Sequence, residues 1–367
     1  MNPMFDPTKS NTSTILTCSG GNRCYFSQSY SEGSSWHAYR VRDKLWMGGV
    51  GGSTSKGSSL AVDFQFGCED SESGLFRTQH VDGIMGMSAT MDTLPHQLVA
   101  QKVTSTRVFA LCFSKDGGIM TLGGFDPNIH RLPKEPIKFV ELIKSKGWFT
   151  VNLLDVSLRP STAASAAALS KRSNGSSVSL GASVAILNGF DNKGVIIDSG
   201  TTDTYLPHDV KKRFEEIFKK MTKLTYSNNH MILSRTQYES LPVVIFTLEG
   251  PDGKPVTIEC PPSSYAEDMG GGFMYAFRIY LTESSGAVLG ANFMMDHNVI
   301  FDIDSKRVGF AQAHCNYGNK KQSSVGIRHL QQSTSGSGKE EDVKGNRMKK
   351  RKIGRRRDIF SSAVNLS

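Results

Sequence analysis

No run of about 20 apolar residues is found in this chain of 367 residues, so no segment reads as a membrane-spanning helix. The first residues carry neither a basic start nor an apolar core, and no secretory leader is read there. The nine histidines are scattered, with no His-x-x-x-His pair, no ligand spacing suited to a metal and no Ser/His/Asp order of a serine hydrolase. Glycine runs such as Gly48-Gly49-Val50-Gly51-Gly52 and Gly270-Gly271-Gly272 lack the lysine and the strand-to-helix setting of a phosphate loop, and read as turns. Long helical patterns are few. What is present is 36 glycines and many short β-branched runs bounded by Gly, Pro, Asn or Asp, which favours an all-β chain. The length leaves room for two core-bearing units of roughly 100–200 residues each.

Charge is unevenly placed. Residues 316–367 hold 13 of the 43 Lys and Arg but 4 of the 34 Asp and Glu, which leaves 30 of each sign for the rest. The +9 excess therefore belongs to a tail rich in Ser, Gly, Gln and Lys and almost free of aromatics. Such a segment buries too little surface to offset the entropy of ordering it, and residues 319–367 are expected to be disordered. Its runs Lys349-Lys350-Arg351-Lys352 and Arg355-Arg356-Arg357 read as a solvated appendage in preference to a nuclear-import or nucleic-acid patch. Residues 161–183, rich in Ala and Ser, read as a loop insertion.

Six cysteines without metal spacing suggest disulfides and an oxidising compartment. They allow fifteen connectivities. The pairing expected from spacing joins Cys18 to Cys24 in a short loop, and Cys68 to Cys112 and Cys260 to Cys315 within separate halves, with reduced buried thiols as the alternative. Asn11-Thr12-Ser13 and Asn174-Gly175-Ser176 are glycosylation acceptors by pattern alone. A hairpin is expected from 243–248 and 256–260, and a helix from Val210, Phe214, Ile217, Phe218, Met221 and Leu224, which share one face at helical spacing.

The stretch that carries chemistry is Val195-Ile196-Ile197-Asp198-Ser199-Gly200-Thr201-Thr202. Three β-branched residues suit a buried strand, Gly200 permits a tight turn, and Ser199 and Thr201 can hydrogen-bond a carboxylate from either side. Here the chain resembles the pepsin-like aspartic proteases, whose fingerprint of two hydrophobic residues, Asp, Ser or Thr, Gly, and Ser or Thr occurs once in each of two lobes. This sequence shows it once. Further matches run over most of residues 3–315. Phe5-Asp6-Pro7-Thr8-Lys9-Ser10-Asn11-Thr12-Ser13 resembles the segment that shortly follows the first Asp-Thr-Gly of that family. Tyr30-Ser31-Glu32-Gly33-Ser34-Ser35 resembles the flap hairpin that closes over substrate. Val81-Asp82-Gly83-Ile84-Met85-Gly86 and Val288-Leu289-Gly290 resemble the segments that pack beside the catalytic loops, and Val299-Ile300-Phe301-Asp302 with Arg307-Val308-Gly309-Phe310-Ala311 resembles the closing hairpin. Cys18, Cys24 and the Glu32-Gly33-Ser34 tip lean toward the plant-type and parasite branches; no subfamily is assigned.

The resemblance implies a bilobal all-β fold, with residues 1–145 as a first lobe lacking its catalytic strand, 146–318 as a second lobe carrying Asp198, and a tail. It implies an aspartic endopeptidase whose second carboxylate is missing here. Asp6 precedes proline and Asp82 lacks flanking hydroxyls, so neither replaces it, and a start placed too late explains both the missing Asp and the missing leader. Asp198 would be catalytic, Ser199, Gly200, Thr201 and Thr202 its supports, and Tyr30, Gly33 and Ser34 the flap. A peptide or protein substrate and a monomer are expected, with no metal, no organic cofactor and no nucleic acid. The expected location of a full-length form is the secretory pathway, a vacuole or vesicle, or outside the cell. Trp36 and Tyr39 read as core filling rather than as a substrate pocket. The alternative reading is an inactive peptide-binding or inhibitor-like member of the same fold. A homodimer giving one Asp per chain is set aside, because residues 1–145 already fill the dimer position.

Overall fold

Strand outweighs helix by more than two to one, 44% against 19%, and the all-β class expected from the short β-branched runs is the class the chain adopts. The computed structural model describes residues 5–30, 32–46, 61–78, 82–115, 117–143, 147–161, 194–284 and 286–316, and the backbone of 178–179. The expected tail, the glycine run at 48–52, the Asn174 acceptor and most of the 161–183 insertion lie outside these residues. From that insertion, Val178–Ser179 adds a short edge strand against Leu158 and Ser157.

In the first half, Ser35–Trp46 pairs antiparallel with Ala61–Ser73 along one edge and with Tyr25–Ser29 and then Thr14–Ile15 along the other. Along this middle strand, Tyr39, Val41 and Asp43 are buried while Arg40, Arg42 and Lys44 are exposed, the period of two that a half-buried strand requires. A buried aspartate needs donors. Asp43 has the Thr12 hydroxyl at 2.5 Å and the Lys44 amide at 2.7 Å, and these bonds, the hydroxyl's foremost, hold its carboxyl below the usual range.

The second half holds one small sheet, in the order Met231–Ile232, Met274–Phe277, Ala266–Gly270, and two larger than it. In one of the larger, Val243–Glu249 lies between Leu153–Arg159 and Pro255–Cys260; the hairpin expected from the two runs forms, with Phe246 opposite Ile258. The other is mixed and runs in the order Ile279–Glu283, Thr204–Pro207, Ala287–Leu289, Val195–Ile197, Thr150–Val151. Its parallel pairs, 195–197 with 287–289 and 204–207 with 279–283, bring segments distant in sequence beside the Asp198 turn. The helix Lys211–Thr222 forms as its spacing predicts and buries Phe214, Ile217 and Phe218, with Val210 buried just ahead of it.

A fifth sheet joins the halves. Its order is Gly117–Leu122, Val108–Ser114, His297–Asp302, Arg307–Gln312, Lys138–Glu141, so the closing hairpin completes a sheet begun before residue 145. Phe109 stacks on Phe301 at 4.6 Å, and Phe149 packs on Phe301 at 4.6 Å. One continuous apolar core runs from Val62 and Leu94 through these rings to Phe214, Phe246 and Phe310.

This sheet corrects the expected cysteine pairing. Cys18–Cys24 forms, but the second bridge is Cys112–Cys315, with Cα atoms 5.1 Å apart, and Cys68 and Cys260 are free. The reason is register. Cys112 sits opposite Asn298, and Ala313 returns to bond Asp296, which lays the end of the last strand beside Cys112. Cys68 instead faces Tyr39 across the first sheet; its hydrogen bond to the Tyr39 side chain, with burial, lifts that phenol to about 12. Cys260 is 1% exposed, and burial pushes its thiol up to about 12.

Candidate active site

The buried strand Val195–Ile197 ends at Asp198, whose own amide donates to the Leu289 carbonyl at 3.0 Å. The chain then turns, and the turn aims donors back at the carboxylate. The Gly200 amide donates to Oδ1 at 2.8 Å and the Thr201 hydroxyl to Oδ2 at 2.7 Å. Of the two hydroxyls expected to support the carboxylate, that of Thr201 bonds it, and the Gly200 amide is a donor the residue pattern did not reveal. Burial raises the Asp198 carboxyl above its ordinary value, and these two bonds oppose the rise. Beside it lies a narrow gap lined by Met87, Phe109, Phe149, Ile197, Ser199 and Phe301, apolar apart from the serine and Asp198 itself. A carboxyl so placed holds a proton more readily than one in water, while donors keep its orientation fixed.

The turn is held from behind by the segment that starts at Gly290. A Cβ there would stand 2.1 Å from the Asp203 carbonyl oxygen and 2.6 Å from that of Thr201, so glycine is required by close approach and not by its φ of −81°. Through that gap the Ala291 amide donates to the Thr201 carbonyl at 2.7 Å and the Asn292 amide to the Thr202 carbonyl at 3.1 Å. The Thr202 side chain itself is exposed. Val288, Leu289 and Gly290 were legible as neighbours of the loop; Asn292 was not, because its partners lie 88 and 14 residues away.

Five residues beyond Asp198, a charged group was also missed. Asp203 stands 4.0 Å from Arg278 Nη1, while Arg278 is bound closely by Glu267. Burial raises the Asp203 carboxyl to about 6, against the pull of Arg278 and with a small push from Glu267. Tyr205 and Tyr280 stack at 5.1 Å alongside.

In the first half, Tyr25–Ser29 and Ser35–Trp46 meet at a tight turn. Tyr30 donates its amide to the Ser34 carbonyl at 2.9 Å, and Gly33, at φ 92°, donates to the Tyr30 carbonyl at 3.0 Å; that positive φ suits glycine. The half-buried Tyr30 ring meets Phe76 edge-on at 5.2 Å, and its hydroxyl accepts from Trp36 Nε1 at 2.9 Å. Trp36, read as core filling, therefore holds Tyr30 in place, a pairing six residues apart that strand alternation could have suggested. Ser34 is 1% exposed and accepts from the Leu75 amide at 2.9 Å, so its hydroxyl ties the hairpin turn to the segment at Leu75. Residues 82–87 make no strand, unlike 287–289 in the second half. Among the described residues no group of His, Cys, Asp and Glu is clustered closely enough to hold a metal ion, and no helix is long and apolar enough to cross a membrane.

A family model for eukaryotic aspartyl proteases matches residues 1–313. Aspartic protease 5 of Toxoplasma gondii is 26% identical over 308 residues, covering 80% of this chain and 28% of that protein. Aspartic proteinase 36 of Arabidopsis thaliana is 25% identical over 321 residues, 82% of this chain and 59% of the relative. Plasmepsin V of Plasmodium falciparum is 26% identical over 142 residues, 35% of this chain and 23% of the relative. The chain thus spans less than two thirds of the length of these curated relatives.

Proposed function

The chain belongs to the eukaryotic aspartyl protease family, and on that premise we propose that it is an aspartic-type endopeptidase in which Asp198 is one of two carboxylates that activate water. The observation that carries this is the Asp198 carboxylate itself, raised by burial, fixed by Gly200 and Thr201, and set beside an apolar gap. Two carboxylates about 3 Å apart cannot both ionise; one takes a proton from water while the other, protonated, donates to the scissile carbonyl. The second carboxylate would come from an apolar strand outside these 367 residues and face Asp198 across the cleft. Tyr30, held by Trp36, would close over an extended peptide and exclude water. Ser199 and Thr202 would complete the rim of the turn, with Gly33 as the pivot of the flap.

The two disulfides suit an oxidising compartment, and we place a full-length form in the secretory pathway, a vacuole or outside the cell. A monomer suffices for this chemistry. In a form that includes the upstream reading frame, peptide cleavage at acidic pH should be lost in Asp198→Asn by at least about a thousandfold, the scale at which removing a dyad member acts, with the urea midpoint retained. Turnover surviving that substitution removes Asp198 from the mechanism. The single copy of the fingerprint favours a second reading, an inactive peptide-binding member of the family; an upstream frame without Asp-Thr-Gly or Asp-Ser-Gly would select it.

A further inference from the structure

Asn292 occupies a place that neither its sequence context nor the family motif singles out. It lies in the four-residue helix Ala291–Met294, where an asparagine commonly bonds its own backbone. Here its side chain reaches two other segments instead. Oδ1 accepts from the Thr204 hydroxyl at 2.7 Å, and Nδ2 donates to the Arg278 carbonyl at 2.8 Å. The carbonyl can only accept, which fixes which end of the amide faces it. The same carbonyl also accepts from the Thr204 amide at 3.1 Å, and the Asn292 amide holds the Thr202 carbonyl. One residue, 8% exposed, thus ties both ends of the segment leaving the Asp198 turn to the start of the strand Ile279–Glu283.

We propose that Asn292 is a positioning residue for Asp198: its side-chain amide, clamped between Thr204 and the Arg278 carbonyl, sets where the turn 198–204 can lie. The proposal rests on the reading of Asp198 as catalytic for its consequence, and on geometry alone for the clamp. Asn292 touches no reacting atom. Its effect would pass through Thr202 and Thr204 to a carboxylate whose placement must be right to within about an ångström, a misplacement of that size costing on the order of a hundredfold in rate.

Chemistry supplies a discriminating variant. In Asn292→Asp the accepting oxygen is kept, so the Thr204 bond survives. The donor is present only while the new carboxyl is protonated; ionised, it would face the Arg278 carbonyl with no hydrogen to share. An ordinary aspartate ionises near pH ~4, and burial raises that point. The neighbouring ionisable groups, Asp203 and the Arg278 side chain, are common to wild type and variant and are controlled for by comparing the two at each pH. Thr204→Val removes the other arm at constant shape.

The experiment is amide hydrogen exchange by mass spectrometry on the full chain, corrected for the intrinsic effect of pH, at pH 4 and pH 7. For Asn292→Asp we expect exchange over 199–204 within about twofold of wild type at pH 4 and at least about tenfold faster at pH 7. Thr204→Val should be faster at both. The hairpin 243–260 should stay unchanged throughout, which reports retained folding. Unchanged exchange over 199–204 at pH 7 overturns the clamp, and so does equal acceleration at both pH values, since a merely structural defect would not follow protonation of one carboxyl. In the peptide-cleaving form, kcat of Asn292→Asp relative to wild type should fall tenfold or more between pH 4 and pH 7, with KM within about twofold. Should wild type cleave no peptide, the peptidase reading fails while the exchange result still decides the clamp.

Discussion

Asp198 and Asp203 lie on one turn, and burial lifts both, yet they are opposed differently. Asp198 is met by a hydroxyl and an amide that fix its direction, whereas Asp203 is met by the Arg278 guanidinium at 4.0 Å. For Asp203 the lift has a sign that can be read in stability. Its folded value of about 6 lies above the ordinary carboxylate value near 4, so between those pH values the native chain holds a proton the unfolded chain has released. The stabilisation is fully present below about pH 4 and is lost as pH rises through about 6, amounting to roughly 1–3 kcal/mol. Asp203→Asn should flatten that part of the stability profile, measured as urea midpoint against pH; an unaltered slope would show that the carboxyl is not perturbed. Asp198 was legible because its supports follow within three residues. Asp203 was not, because Arg278 and Glu267 reach it only through the parallel pairing of 204–207 with 279–283.

Among the elements, those whose pattern is local were read correctly. The helix Lys211–Thr222 announces itself by apolar residues at helical spacing, and the hairpin 243–260 by two short β-branched runs around Pro251, Asp252 and Gly253. The helix matters to the site because it packs under the strand Ile279–Glu283. Phe218, fully buried, meets Tyr226 at 5.1 Å and Phe277 at 5.4 Å, and the Tyr226 hydroxyl donates to the Ile279 carbonyl. Phe218→Ala should cost about 3–5 kcal/mol, measured by denaturant unfolding; a cost under about 1 kcal/mol would mean that the helix is not seated on this core. What the pattern could not reveal is the partner of Val108–Ser114. Its neighbour is His297–Asp302, and nothing in either run's composition names the other. The misassigned cysteines follow from that one gap: pairing by nearness in sequence puts Cys112 with Cys68, whereas the shared sheet puts it with Cys315.

At the scale of the whole molecule, the Cys112–Cys315 bridge closes a loop with a sequence separation of 203 and staples the last strand to the first half. By the chain-entropy argument such a crosslink stabilises by about 2–5 kcal/mol. The double variant Cys112→Ser, Cys315→Ser should lower the unfolding free energy by that amount, and a reductant should weaken wild type far more than the variant. Equal sensitivity of both proteins would mean that the bridge contributes nothing.

The sheet that joins the halves also sets an order on biosynthesis. Val108–Ser114 leaves the ribosome with one neighbour, Gly117–Leu122, while its other edge waits for His297–Asp302. At roughly 5–20 residues per second that wait lasts on the order of 10–40 s, with Phe109 and Leu111 on a strand whose ladder is open to any passing chain. A nascent polypeptide halted before its closing hairpin would therefore be the sticky species, and folding helpers that bind extended apolar strands would be needed during translation and dispensable once release is complete.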